Sequence, residues 1–261
     1  MDLQLEGKKA LVTGSTAGIG LAIATALARE GADVVINGRT DARVAEAMHK
    51  IREHARGSVS GVAADSGTRA GADRLIAQVP AVDVLVNNLG IFEPKSFADI
   101  PDEDWQRMFA TNVLSGVRLT RHYGPRMREK KFGRVVFISS ESGVQIPTDM
   151  IHYGFTKSAD LALMRGFAQA LAATGVTVNA VLPGPTRTEG VEAMFRSMGV
   201  AVEGPDAERK FIESGRPSSI IKRLASAQEV ADVVVFLCSR EASAITGSPV
   251  RADGGIVMSI T

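Results

Sequence analysis

Six short runs rich in Val and Ile recur along the chain, separated by longer stretches with helical periodicity. This alternation limits the possible folds more than any other feature. The runs are KKALVT (8–13), ADVVIN (32–37), VSGVAA (59–64), DVLVNN (83–88), RVVFIS (134–139) and VTVNAV (176–181). Several lack polar alternation, as strands covered on both faces of a parallel sheet do. Helical patterns fill the intervals near 18–30, 41–55, 68–78, 102–129 and 153–173. Such repetition predicts an α/β fold, a doubly wound parallel sheet. A last short strand near 248–252 brings the expected sheet to seven strands. No linker, repeat or low-complexity tract divides residues 1–261, so one domain is expected.

The pattern breaks at residues 189–222, which are polar and interrupted by Gly190, Gly199, Gly204, Pro205, Gly215 and Pro217. One or two short helices in a mobile excursion are expected there. Order resumes with SAQEVADVVVFLCS, where Ser226 and Glu229 have the spacing of a capping box. Lys and Arg number 30 against 29 Asp and Glu, a balance that gives no basis for binding nucleic acid or an anionic membrane. The single cysteine, Cys238, excludes an internal disulfide and sits in an apolar run, as a buried small hydrophobe would. No apolar stretch is long enough to span a bilayer. The opening MDLQLEGKKALVTG is unlike a signal peptide, so a cytoplasmic protein is expected.

Two local motifs carry chemistry. TGSTAGIG (13–20) leaves the first strand and opens the first helix. Gly14, Gly18 and Gly20 allow a tight turn whose N–H groups, with the helix N-terminus, suit a phosphate. The spacing is G-x-x-x-G-x-G, not the general G-x-G-x-x-G fingerprint. In YGFTK (153–157), Tyr153 and Lys157 stand four apart at a helix start, where their side chains can lie together. Taken alone, that pair reads as a surface pair.

TGSTAGIG, DVLVNNLG (83–90), NVLSG (112–116), ISS (138–140), YGFTK, VNAVLPGPTRT (178–188) and ITGSPVRADGG (245–255) form an ordered set over nearly the whole chain. The set resembles the short-chain dehydrogenase/reductase family, most nearly its bacterial 3-oxoacyl-carrier-protein reductase-like members. Leu89 departs from the alanine usual there, a change expected to alter local packing only. The resemblance implies a Rossmann-type fold and hydride transfer between a nicotinamide and an alcohol or carbonyl. Tyr153 would be the general acid and base. Free tyrosine has a pKa near ~10, and the Lys157 ammonium should lower it. In the family the lysine also binds the nicotinamide ribose. Ser140 stands at the family's serine-to-tyrosine spacing and would hold the substrate oxygen, whereas Ser139 could merely satisfy backbone groups. Asn112 would hold a water beside Lys157. His152 is expected to line the pocket or lie on the surface, and Glu141 either reaches the pocket or is solvated. His49, His54 and His122 form no ligand spacing, and no catalytic metal is expected.

The second strand ends VVINGRT (34–40), with Gly38 where NAD-preferring members carry aspartate and Arg39 beside it. An arginine there accommodates the phosphate of NADP, with Asn37 and Thr40 available to add hydrogen bonds. NADP(H) is favoured and NAD(H) stays possible. By the same resemblance Asp65 approaches the adenine. Asn88, Leu89 and Gly90 line the adenosine side, Ile19 packs near the pyrophosphate or nicotinamide, and Pro183, Gly184 and Thr188 hold the nicotinamide end. In the excursion, Val191, Met194, Phe195, Met198, Phe211 and Ile212 form either an apolar lid or a packing face, and Arg187, Glu189, Glu192 and Arg196 are candidates to contact a polar substrate. The family implies a homotetramer acting on a small carbonyl or alcohol. An NAD-dependent polyol or hydroxysteroid-type dehydrogenase is one alternative. A cofactor-binding regulator or scaffold without turnover is another, although it has no chemical need for Asn112, Ser140, Tyr153 and Lys157 together.

Overall fold

The computed structural model describes residues 2–197 and 205–260. In chain order, β1 (Lys9–Val12), α1 (Gly18–Arg29), β2 (Asp33–Gly38), α2 (Asp41–Arg52), β3 (Val59–Ala63), α3 (Arg69–Gln78) and β4 (Val84–Asn87) form the first half. The second half holds α4 (Asp102–Met108), α5 (Ser115–Glu129), β5 (Gly133–Ile138), α6 (Ile151–Ala170), β6 (Val176–Pro183), β7 (Thr186–Arg187), α7 (Glu189–Ser197), α8 (Pro205–Gly215), β8 (Ala225–Ser226), α9 (Ala227–Cys238) and β9 (Pro249–Ala252). The seven-stranded sheet has the order β3-β2-β1-β4-β5-β6-β9, and every pairing is parallel. The order reverses between β1 and β4, which opens a crevice at their carboxyl ends.

Strand periodicity explains the two cores. Ala10, Val12, Val84, Val86, Val136 and Ile138 face one side, against Ile23 and Leu27 of α1 and Val230 and Val234 of α9. Leu11, Leu85, Val135 and Phe137 face the other, against Leu75 of α3, Leu119 of α5 and Met164 of α6. The runs read as uniformly apolar because both faces are covered. Thr40 and Thr68 cap α2 and α3 by accepting from Arg43 and Gly71 N–H groups. The Ser226–Glu229 capping box forms as the spacing predicts, with both reciprocal bonds present. Cys238 is buried, and its thiol is pushed up to about 12 by that burial.

The expected 102–129 helix is not continuous. A π-helical segment, Phe109–Leu114, separates α4 from α5 and turns Asn112 inward, where it is 4% exposed. Helix α6 begins at Ile151, so Tyr153 lies inside its first turn. The 189–222 stretch carries α7 and α8, bracketed by the two-stranded β7–β8 pair. Ile212 packs on Leu224, with Val191 and Phe211 against them. Met198 and the side chains of Met194 and Phe195 lie outside the described residues. Arg187 pairs with Glu208 of α8.

Candidate active site

The glycine-rich turn is shaped by β4. Gly14 and Gly18 have φ of 60° and 56°, in the left-handed region that glycine adopts without strain. A Cβ on Gly20 would stand 2.4 Å from Asn88 Nδ2 and 2.5 Å from the Gly14 carbonyl oxygen. Asn88 Nδ2 donates to the carbonyls of Thr13 (2.9 Å) and Gly14 (3.1 Å), so its amide staples the turn to the end of β4. Helix α1 starts with no side-chain cap and no acidic residue in its first turn. Its N-terminal N–H groups are thus left to the cleft, a ready anion site.

That cleft has a volume of about 640 Å³. Gly14, Gly18, Ile19, Gly20, Asn88 and Gly90 line one end. Ser140, Tyr153, Lys157, Pro183, Gly184 and Thr188 line the other. Ser139 and Ser140 part ways at the end of β5. Ser139 donates to the Lys157 carbonyl at 2.8 Å and is structural, whereas Ser140 lines the cleft with Tyr153 and donates to Glu141 Oε2 at 2.6 Å. Phe92 meets the Tyr153 ring edge-on at 6.1 Å between centroids. Lys157 Nζ lies 5.8 Å from the centroid of that ring, as the four-residue spacing predicts.

The expected downward shift of the phenol is not found. Burial raises the Tyr153 value, and Lys157 and Ser140 counter this without overcoming it, while Glu141 and Asp160 add to the rise. The structural reason is where the ammonium points. Lys157 Nζ donates to the Ile138 carbonyl (2.7 Å) and to Asp160 Oδ2 (3.2 Å). Burial works against the ammonium, but Asp160 and Tyr153 more than offset it, and its value rises.

Asp160 is 2% exposed, and its Oδ1 has no hydrogen-bond partner among the described residues. Burial raises its carboxyl from 3.8 to about 6 against the pull of Lys157. Between those two values the folded protein keeps a proton that the unfolded chain has lost, so stability falls as pH rises through the window. Asp160→Asn is expected to flatten that part of the profile, measured by denaturant unfolding at successive pH values. An unchanged slope would show that Asp160 does not titrate there. The signal was in the sequence: a carboxylate three residues after Lys157 on the same helix.

Asn112 does not reach into the cleft. Its Oδ1 accepts from Ile91 N–H (2.8 Å), and its Nδ2 donates to the Ile91 carbonyl (2.9 Å) and Thr156 Oγ1 (3.0 Å). Its amide thus acts as a backbone partner for the loop after β4. Gly90 lies between Asn112 and Lys157, a Cβ there being 3.7 Å from Asn112 Oδ1 and 3.6 Å from Lys157 Nζ. His152 is neither pocket-lining nor on the surface. It is fully buried edge-on to Trp105, neither ring nitrogen has a partner among the described residues, and burial lowers its pKa.

Arg39 and Asp65 are exposed at the ends of β2 and β3, outside this cleft. Asn37 is unavailable to a ligand, because it donates to the Val62 and Ala64 carbonyls (3.1 and 2.9 Å) and accepts from Ser66. Thr40 caps α2. Gly38 has a steric reason: a Cβ there would stand 2.4 Å from the Thr16 methyl. Arg187, Glu192 and Arg196 do not line the cleft, nor does Glu189.

Glu141 is not solvated. It is 2% exposed and accepts from Ser140 Oγ and Ser142 Oγ, each at 2.6 Å. Its other oxygen accepts from Arg216 Nε at 2.6 Å, and both residues line the cleft. Arg216 escaped the sequence reading, since no local pattern joins it to a residue 75 positions away.

Residues 14–257 match the family model described as enoyl-(acyl carrier protein) reductase. The chain is 49% identical to an uncharacterized oxidoreductase, YvaG, of Bacillus subtilis (strain 168), with all of both chains covered. It is 33% identical to the 3-oxoacyl-[acyl-carrier-protein] reductase FabG of Aquifex aeolicus (strain VF5), covering 98% of this chain and 100% of that protein. Among solved structures, L-sorbose reductase from Gluconobacter frateurii complexed with NADPH and L-sorbose superposes with a TM-score of 0.92 at 32% identity, with 100% of both chains covered.

Proposed function

This chain belongs to the short-chain dehydrogenase/reductase family, and we propose that it is an NADP(H)-dependent oxidoreductase that interconverts a carbonyl and a secondary alcohol, with Tyr153 as general acid and base. One observation carries the reading: Ser140, Tyr153 and Lys157 converge in the same cleft that the glycine-rich turn closes at its far end.

The residues fit a dinucleotide. The uncapped N-terminus of α1 and the left-handed turn at Gly14 and Gly18 would take the pyrophosphate. Pro183, Gly184 and Thr188 would hold the nicotinamide end, and Asp65 the adenine. When bound, the nicotinamide donates or accepts the hydride. Tyr153 supplies the proton to the carbonyl oxygen in reduction and recovers it in oxidation. A phenol whose value lies above the ordinary one is protonated at neutral pH, which suits reduction. Lys157 holds positive charge beside the phenol, and Ser140 lines the same cleft.

NADP is favoured over NAD by the packing at the end of β2. The Thr16 methyl fills the space an aspartate at position 38 would need, so no carboxylate faces a phosphate, while Arg39 is exposed beside it. The solved relative that binds NADPH lends support. Arg39→Asp is expected to weaken NADPH binding at least tenfold more than NADH binding, a charge-assisted bond being worth roughly 1.5–3 kcal/mol. Equal loss for both, by fluorescence titration, would remove Arg39 from the phosphate site.

The substrate end mixes Phe92, Met150, Val191 and Phe211 with Ser142 and Arg216. The deciding assay is NADPH oxidation with a panel of ketoses and 3-oxoacyl thioesters. A protein that binds NADPH and oxidises it with none of them would favour the regulator reading. The expected homotetramer finds support in Phe155 and Phe109, exposed by 47% and 37% and stacked beside Trp105.

A further inference from the structure

An ammonium has three protons to give. Lys157 spends one on the Ile138 carbonyl at 2.7 Å and one on Asp160 Oδ2 at 3.2 Å. Among the described residues no other acceptor takes the third, and Lys157 lines the cleft. Asp160 is as deeply placed as its partner: the two side chains are 3% and 5% exposed, three residues apart on α6. Asp160 does not line the cleft, so any part it plays in the site passes through another group. Its Oδ1 has no partner among the described residues, a state that costs the fold stability. Packing alone therefore does not account for a carboxylate at this position, whereas the charge of Lys157 does.

We propose that Asp160 is a positioning residue for Lys157: it pins the ammonium against the Ile138 carbonyl, matches its charge away from water, and leaves one proton to a ligand in the cleft. The proposal rests on the reading of Lys157 as the charged neighbour of Tyr153. A lysine buried without a counter-charge gives up its proton more easily. Burial is the largest influence on Lys157, and Asp160 is the first of those that oppose it. The carboxylate thus keeps the ammonium charged beside the phenol, whose ring centroid lies 5.8 Å from Nζ. The coupling is mutual: as Asp160 strengthens the lysine's hold on its proton, Lys157 weakens the hold of the carboxyl on its own.

Other charges near α6 are placed differently. Tyr153 also acts on Lys157. Of the segments packed on α6, β6 and the π-helical stretch carry no titratable side chain. Arg134 stands at the far end of β5, bonded to the Ser239 carbonyl. Glu141, in the turn after β5, is held by Arg216. Asp104 and Arg107 of α4 act on His152. Asp102, Glu103, Asp149, Arg165 and Lys210 are exposed.

Two measurements test the proposal. In Asp160→Asn, Lys157 should give up its proton about 1 pH unit lower than in the parent, or lower still. Trace acetylation with acetic anhydride across a pH series, quantified at Lys157 by peptide mass spectrometry, reads that midpoint, because the unprotonated amine is the form that reacts. In Lys157→Met, Asp160 loses the ammonium, and its carboxyl should keep its proton to higher pH. The parent loses stability as pH rises from 3.8 to about 6, and the variant should go on losing it above that value in denaturant unfolding at successive pH. A lower acetylation midpoint together with the extended window supports the proposal. An unmoved midpoint, or a window that closes where the parent's does, overturns it. A merely structural Asp160 would lower the stability of Asp160→Asn and leave both readings in place. Should Asp160→Asn fail to fold, or Lys157 resist acetylation, the Lys157→Met window decides alone. Neither measurement uses cofactor or substrate. Failure of the parent protein to bind NADPH would instead count against the oxidoreductase reading.

Discussion

Replacing Tyr153 by phenylalanine is expected to lower turnover by roughly 100- to 10,000-fold while leaving NADPH binding close to that of the parent protein. The aromatic ring packs edge-on to Phe92, and phenylalanine keeps that contact. What is lost is the hydroxyl, the group to which the proposed function assigns the proton passed to a carbonyl oxygen. The loss should fall on kcat, because the bond it removes matters most in the transition state. Fluorescence titration of NADPH and single-turnover oxidation of the bound nucleotide would separate the two effects. Unchanged turnover would end the general-acid role, and a matching loss of NADPH binding would make Tyr153 a structural residue.

The second large effect is expected at Gly20. Alanine there puts a carbon 2.4 Å from Asn88 Nδ2 and 2.5 Å from a backbone oxygen. Neither can retreat freely, because the amide is bonded to Thr13 and Gly14 and the oxygen belongs to the turn itself. Overpacking costs about 1–3 kcal/mol, and each displaced buried bond adds about 1 kcal/mol. Gly20→Ala should therefore unfold at lower denaturant concentration and lose NADPH affinity more than tenfold. Parent-like NADPH affinity in a folded Gly20→Ala protein would show that the turn does not hold the dinucleotide.

The sheet was legible because both its faces are covered, which leaves each strand an unbroken Val and Ile run such as RVVFIS. The Ser226–Glu229 box was legible because its partners are three residues apart. The π segment was not, since one extra residue in a helical pattern leaves the periodicity on either side intact. The direction of the Tyr153 shift was misjudged for a related reason. Spacing places Lys157 beside the phenol, but it does not show that Asp160 and the Ile138 carbonyl hold the ammonium, nor how deeply the phenol is buried. Ser140 could be chosen over Ser139 only by a resemblance, whereas the structure gives the reason: the Ser139 hydroxyl is tied to the Lys157 carbonyl. Arg216 and Glu141 meet only once the chain has folded.

Asn88, Asn112 and Thr156 share one more property. Asn88 grips the glycine-rich turn through the Gly14 carbonyl. Asn112 grips the loop after β4, the one Asn88 opens, at Ile91, and also bonds Thr156. Thr156 in turn donates to the Tyr153 carbonyl at 2.7 Å. Turn, loop and helix α6 are therefore joined by three side chains in series: Asn88 and Asn112 each hold the backbone of another segment, and Thr156 ties Asn112 to the first turn of α6. Energies along such a series do not add independently. A change of shape at any one of the three positions thus leaves a mismatch at its neighbours, so paired replacements along the series are expected to depart from the sum of the single ones.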